Sequence, residues 1–262
     1  MIKQFYARSK PLTVGGLIFV VGFVVAVVLS FFDDRIITGL NAWYKPIKFA
    51  ASLAIYMLTL AWLVTHLREF APRSIKAIEW VIALVMTAEG AAIFLQAARG
   101  VPSHFNFSTP LDGSIFGIMG LLIIVNTVTA AWLTILYFRY SPPLPTAYLW
   151  GIRLGLVVFL FFSMEGYLMI QRMAHAVGAP DDAAGLPILG WSRVGGDLRW
   201  AHFIGMHALQ LLPLTGWFLN RRADRLPFRP VLGVVVVALL HTALAVWATL
   251  HALAGKPVIP LP

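Results

Sequence analysis

Cysteine is absent from the 262 residues. Its absence excludes disulfides, thiolate metal centres, iron–sulfur clusters and haem attached through thioethers. Charge is scarce too: Asp, Glu, Lys and Arg make up 12% of the chain, against roughly a quarter in soluble domains. Acidic residues are the rarer kind, 11 against 20 Lys and Arg, and the formal net charge is +9. Also missing are the HExxH zinc pair, the phosphate-binding GxxxxGK[ST], the GxSxG nucleophile elbow and CxxCH. These gaps exclude the commonest metalloprotease, nucleotidase and serine-hydrolase chemistries in their usual forms.

Apolar residues fill the space, at 60% of the chain, and they gather in runs. A hydrocarbon core about 30 Å thick needs about 20 helical residues. Seven runs qualify, near 12 to 32, 47 to 67, 77 to 99, 115 to 138, 147 to 176, 199 to 220 and 231 to 254. None shows the alternation of a membrane barrel strand. The expectation is therefore an all-α, polytopic membrane protein, with seven transmembrane helices in one domain over 1 to 262. The first run is longer than the ~7–15 apolar residues of a cleavable signal, and no small-x-small site follows it, so it reads as a retained helix.

Basic residues mark the ends of these runs. Lys3, Arg8 and Lys10 lie before the first; Arg68, Arg73 and Lys76 lie between the second and third; Arg221, Arg222, Arg225 and Arg229 lie between the sixth and seventh. The positive-inside rule then predicts a cytoplasmic N-terminus and an external C-terminus. The expected location is a multi-pass position in a bacterial inner or plasma membrane. The same rule accounts for the net positive charge without nucleic acid. A helix-scale echo, "LTLAWLV" at 58 to 64 and "VTAAWLT" at 128 to 134, is compatible with duplicated hairpins.

Ionisable side chains inside a span cost a few kcal/mol or more and point to function. Counting about 1.5 Å per residue, Glu89, Glu165, His207 and His241 fall roughly 14 to 21 Å below the outer helix ends. A shallower layer holds Gln96, Arg99, Arg172, His175, Arg199, His202 and His251, with Lys45 and Lys48 beside it. Glu89, Gln96 and Arg99 share one side of their helix, and Glu165, Arg172 and His175 repeat that spacing. His202 and His207 are five apart and point in different directions. In the loop 99 to 114, Asp112 or Ser114 is placed to cap the following helix, and His104 reads as a loop histidine.

The leading expectation is a haem b protein for electron transfer. His207 and His241 would be the axial ligands, Arg99, Arg172, Arg199 or Lys48 would pair with the propionates, His202 would hydrogen-bond a propionate or substrate, Glu89 or Glu165 would transfer protons, and the electron partner would be a quinone or redox protein. One alternative is a membrane enzyme for a lipid-like substrate, with zinc or iron on His207, His241 and the two Glu carboxylates. Another is a small-solute transporter, which broken helices would favour, and Gly90, Gly166 and Gly205 hint at breaks. The structural counter-reading is polar glue between helices. Seven helices also occur in retinal proteins, but 231 to 255 contains no lysine for a Schiff base.

Overall fold

The computed structural model describes residues 2–261. All long elements are helices, and six are long and apolar enough to cross a membrane. The chain forms two compact units. One holds the chain up to Thr129 with Asp182–Gly190; the other holds Ala130–Asp181 and the chain from Trp191 onward.

In the first unit, α1 (Ile2–Arg8) leads into α2 (Lys10–Leu29). Helix α2 packs along α3 (Tyr44–Val64), and α4 (Pro72–Arg99) packs against both. The core is aliphatic, with Leu12, Met57, Leu60, Ile75, Ile78, Ile82 and Ile93 fully or almost fully buried. Helix α4 ends at Gly100, whose φ of +77° lies in the left-handed region that a Cβ penalises. The next helix, α5 (Pro110–Arg139), gives residues 110–129 to this unit.

Its cap differs from the expectation. Thr109 Oγ accepts from the Asp112 backbone N–H at 3.1 Å and donates to Asp112 Oδ2 at 2.6 Å. Thr109 is thus the N-cap, bonding the backbone N–H of the third helical residue, while its hydroxyl proton goes to that residue's carboxylate.

Strands β1 (Ile36–Ile37) and β2 (Leu40–Asn41) pair between α2 and α3. Asp33 binds Arg35 and accepts from Trp43 Nε1 at 2.7 Å, while Arg35 Nη1 donates to the carbonyl of Ala98 in the last turn of α4. The Arg35 hydrogen bonds, then that of Trp43, hold the Asp33 carboxyl well below the usual carboxylate range.

The second unit contains residues 130–139 of α5, α6 (Thr146–Ser163), α7 (Glu165–Arg172), α8 (Leu198–Met206), α9 (Ala208–Asn220) and α10 (Pro230–Leu253). Helices α6 and α9 cross closely because small residues face each other. A Cβ on Gly216 would lie 2.3 Å from the Ala147 carbonyl oxygen, and one on Gly151 2.4 Å from that of Leu212. Backbone cannot yield as a side-chain tip can. Gly216→Ala is expected to destabilise by about 1–3 kcal/mol, read as a lower unfolding midpoint in detergent, with Gly117→Ala, where a Cβ meets nothing, as the unperturbed control.

Two expected helices are interrupted. The run 147 to 176 is α6 and α7, separated at Met164 and ended at Arg172 by Met173, whose φ is +51°. The run 199 to 220 is α8 and α9, joined at His207. At both joints a side chain also bonds a helix carbonyl. The Ser163 hydroxyl takes the Leu160 carbonyl at 2.7 Å, and the Met164 N–H turns to Phe161 instead. The His207 ring adds a bond to the Phe203 carbonyl at 2.7 Å, and the His207 backbone N–H is shared between that carbonyl at 3.3 Å and the Ile204 carbonyl at 3.1 Å.

Candidate functional site

The second unit gathers four of the predicted residues around the two interruptions. His202 Nδ1 lies 2.9 Å from the Phe162 carbonyl oxygen, just before the α6–α7 joint. His207 Nδ1 bonds to the Phe203 carbonyl, and its ring packs on Phe203 with centroids 4.2 Å apart. His241 on α10 is hydrogen-bonded to the Ile204 carbonyl and lies within electrostatic reach of His207. Its Nε2 is buried without a partner. A carbonyl oxygen only accepts, so the bonded nitrogen must carry the proton. All three rings are therefore held with Nδ1–H inward to backbone, and when neutral each keeps its Nε2 lone pair.

Glu165 is the first residue of α7 and is buried. Its Oε1 meets the Thr249 hydroxyl, which also lies 2.9 Å from the Ala245 carbonyl, while Oε2 is buried and unpartnered. Thr249 has a single proton to give. When Glu165 is ionised, that proton goes to the carboxylate; when Glu165 is protonated, it donates to Thr249, which is then free to hold Ala245. Each protonation state thus has its own hydrogen-bond pattern between α7 and α10.

Helix α10 carries His241, Ala245 and Thr249 at steps of four, on one stripe. Glu165 sits level with Thr249, and His241 with the end of α8, about 12 Å apart along α10. The single depth expected for Glu165 and His241 becomes two levels, because α7 stops at Arg172 and Glu165 lies in a short final segment.

The loop beyond α7 is built on two aspartates. His175 leaves the helix, so it does not extend the Glu165–Arg172 face. Its Nδ1 is 2.8 Å from Asp181, which also accepts from the backbone N–H groups of His175 and Ala176. Burial pushes the Asp181 carboxyl up, but the His175 side chain and these amides overcome it and leave it well below the usual range. Strands β3 (Ala176–Val177) and β4 (Gly196–Asp197) close the loop. Asp197, fully buried, caps α8 and binds Arg199 at 2.6 Å. Arg172 is exposed.

The first unit holds Glu89 separately, buried on α4 with Oε2 unpartnered and Lys45 within electrostatic reach. Ten residues on, Arg99 binds Asp112 at 2.6 Å, and Gln96 donates to the same carboxylate at 3.0 Å. Asp112 is therefore the hub of the outward stripe on α4. His104 packs among Phe49, Phe105 and Phe116, and Lys48 donates to the Leu189 carbonyl.

Arg99 and Arg199, read from sequence as propionate partners, are both bound to aspartates of the chain. Among the described residues, no three His, Asp or Glu side chains are placed to hold a metal ion. Sequence reasoning missed Thr249, although it lies two helical steps of four beyond His241. These features define a helical multi-pass membrane protein with ionisable groups at interrupted helices. Comparison with protein-family models finds no match, and none is found among curated proteins or solved structures.

Proposed function

We propose that the protein is a proton-coupled carrier of a small solute, with α8 and α9 together forming a seventh crossing and the N-terminus on the cytoplasmic side. The observation that carries this reading is the coincidence of helix interruptions with ionisable groups. Glu165 follows one joint and His207 occupies the other. Broken helices are tolerated at membrane depth where they line a site, and such sites in carriers lie near discontinuous helices. From Leu198 to Asn220 the chain is long enough for about 30 Å at 1.5 Å per residue. The basic N-terminal segment and the 221–229 connection support the orientation.

Glu165 supplies the proton-linked step. Loss of its proton draws the Thr249 hydroxyl from Ala245 to the carboxylate, changing the tie between α7 and α10. His202 holds the Phe162 carbonyl freed at the joint, so the hinge keeps its backbone satisfied. His241 Nε2 is the second buried acceptor on the same stripe.

A second reading keeps haem b, with electron transfer to a quinone or protein partner. What favours it is the anchoring of His207 and His241 through ring N–H groups to the adjacent carbonyls of Phe203 and Ile204, which leaves both Nε2 atoms as ligands. Against it, His241 Nε2 is closed off, and the neighbouring Ala238 and Ala245 pack with Ile204 and Phe162. A porphyrin requires α8 and α10 to separate. The metal-enzyme reading lacks a third ligand among the described residues.

Two measurements decide between them. The purified protein is expected to show no Soret band. In proteoliposomes containing pyranine, one class in a panel of amino acids, dicarboxylates, sugars and nucleosides is expected to move protons inward. Monodisperse Glu165→Gln is expected to lose that movement. A stoichiometric Soret band, or proton movement unchanged in Glu165→Gln, would overturn the proposal.

A further inference from the structure

We infer that the groove between α9 and α10 binds one anionic phospholipid, its acyl chain in the groove and its phosphate on the arginines of the 221–229 connection. The groove has a volume of about 660 Å³, and its walls include Leu211, Trp217, Phe218, Phe228, Leu232 and Val236. Its floor depends on Gly233, where a Cβ would come within 2.7 Å of Leu219 Cδ1 and 3.0 Å of Phe228. The walls are apolar, as an acyl chain requires.

What the groove has at one end is a dense positive charge, four arginines between 221 and 229. Arg35, Arg68, Arg99 and Arg199 meet Asp33, Glu79, Asp112 and Asp197, whereas Arg8, Arg73, Arg139, Arg153, Arg172 and Arg193 stand in no ion pair among the described residues. Among the described residues, Arg221, Arg222, Arg225 and Arg229 have no ion-pair partner, and Asp224 beside them is exposed. Two of them lie over groove aromatics, Arg221 at 4.8 Å from the Trp217 ring and Arg222 at 3.7 Å from that of Phe218. Arg221 and Arg222 therefore stack on groove-lining rings without lining the groove themselves, Arg221 also bordering the neighbouring pocket beside Leu144, Pro145 and Tyr148, and a phosphate held there would supply a counter-charge. A phosphodiester accepts guanidinium hydrogen bonds well. A second copy docked symmetrically on this face would bring two arginine clusters together, so a lipid is the occupant that fits.

Phospholipids with brominated acyl chains quench tryptophan at contact, and Trp217→Phe identifies the Trp217 part of the signal. The expected result is stronger quenching by brominated phosphatidylglycerol than by brominated phosphatidylcholine in mixed micelles. The preference should fall about fivefold for each of Arg222→Gln, Arg225→Gln and Arg229→Gln, and all three together should remove it. Val236→Phe, which fills the groove from an exposed position, should reduce quenching by both lipids. The proposal is overturned by equal quenching from the two lipids in the unmodified protein, by reversal on adding inorganic phosphate alone, or by a dimer that shields Trp217 from both.

Discussion

Replacing Asp197 with Ala is expected to cost about 3–5 kcal/mol, the range for removing one partner of a buried pair. Asp197 is fully buried and serves three purposes. It accepts the Arg199 backbone N–H at 3.0 Å, capping α8; it binds the Arg199 side chain; and it accepts the Ser192 N–H at 2.8 Å. Loss of the cap alone is worth about 1 kcal/mol. The larger part comes from Arg199, left three-quarters buried without its counter-charge, and from the orphaned Ser192 amide. Asp197→Asn keeps an acceptor for the amides and should lose less than Asp197→Ala. The measurement is thermal unfolding in detergent together with hydrogen exchange over 173–197. That segment should exchange faster in Asp197→Ala while α2, α3 and α4 remain protected. Protection unchanged throughout would mean that the loop is held by its other contacts.

Hydropathy located every long helix because burial in lipid demands a continuous apolar run, and the chain has little else. The ends were less legible. Helix α7 stops at Met173, which takes a left-handed conformation without being glycine or asparagine, so no residue type announces the stop. The joint at His207 was hinted at by Gly205, two residues before it, but its position was not legible, since the His207 ring reaches back to its own helix's Phe203 carbonyl. The stripe Glu89, Gln96, Arg99 was legible because all three lie on uninterrupted α4. The matching stripe through Glu165 and Arg172 fails at His175, which follows the interruption. Depth counted from helix ends inherited the same error. Asp112 was visible as a capping residue but not as the partner of Arg99, because that contact depends on how the loop between α4 and α5 folds back.

The strongest separation of roles is expected from asparagine in place of histidine. Asn Nδ2 occupies nearly the position of His Nδ1, so it can still donate to a backbone carbonyl, but it offers nothing that titrates at the position of Nε2. His202→Asn should therefore keep the Phe162 carbonyl bonded and retain both stability and proton movement. His202→Ala should strand that carbonyl at the α6–α7 joint and cost about 1–3 kcal/mol. His241→Asn is expected to behave differently. It keeps the Ile204 anchor, and with it an unfolding midpoint close to that of the unmodified protein, yet it removes the buried Nε2. Solute-dependent proton movement should then fall by roughly a hundredfold, the lower end of what a positioned proton-transfer group contributes. Unfolding midpoints and pyranine traces from the same preparations provide the comparison. Full activity in His241→Asn would reduce His241 to a structural anchor and leave Glu165 as the remaining proton-linked group in the second unit. Loss of activity in His202→Asn with an unchanged midpoint would move the proton-handling role from α10 to α8.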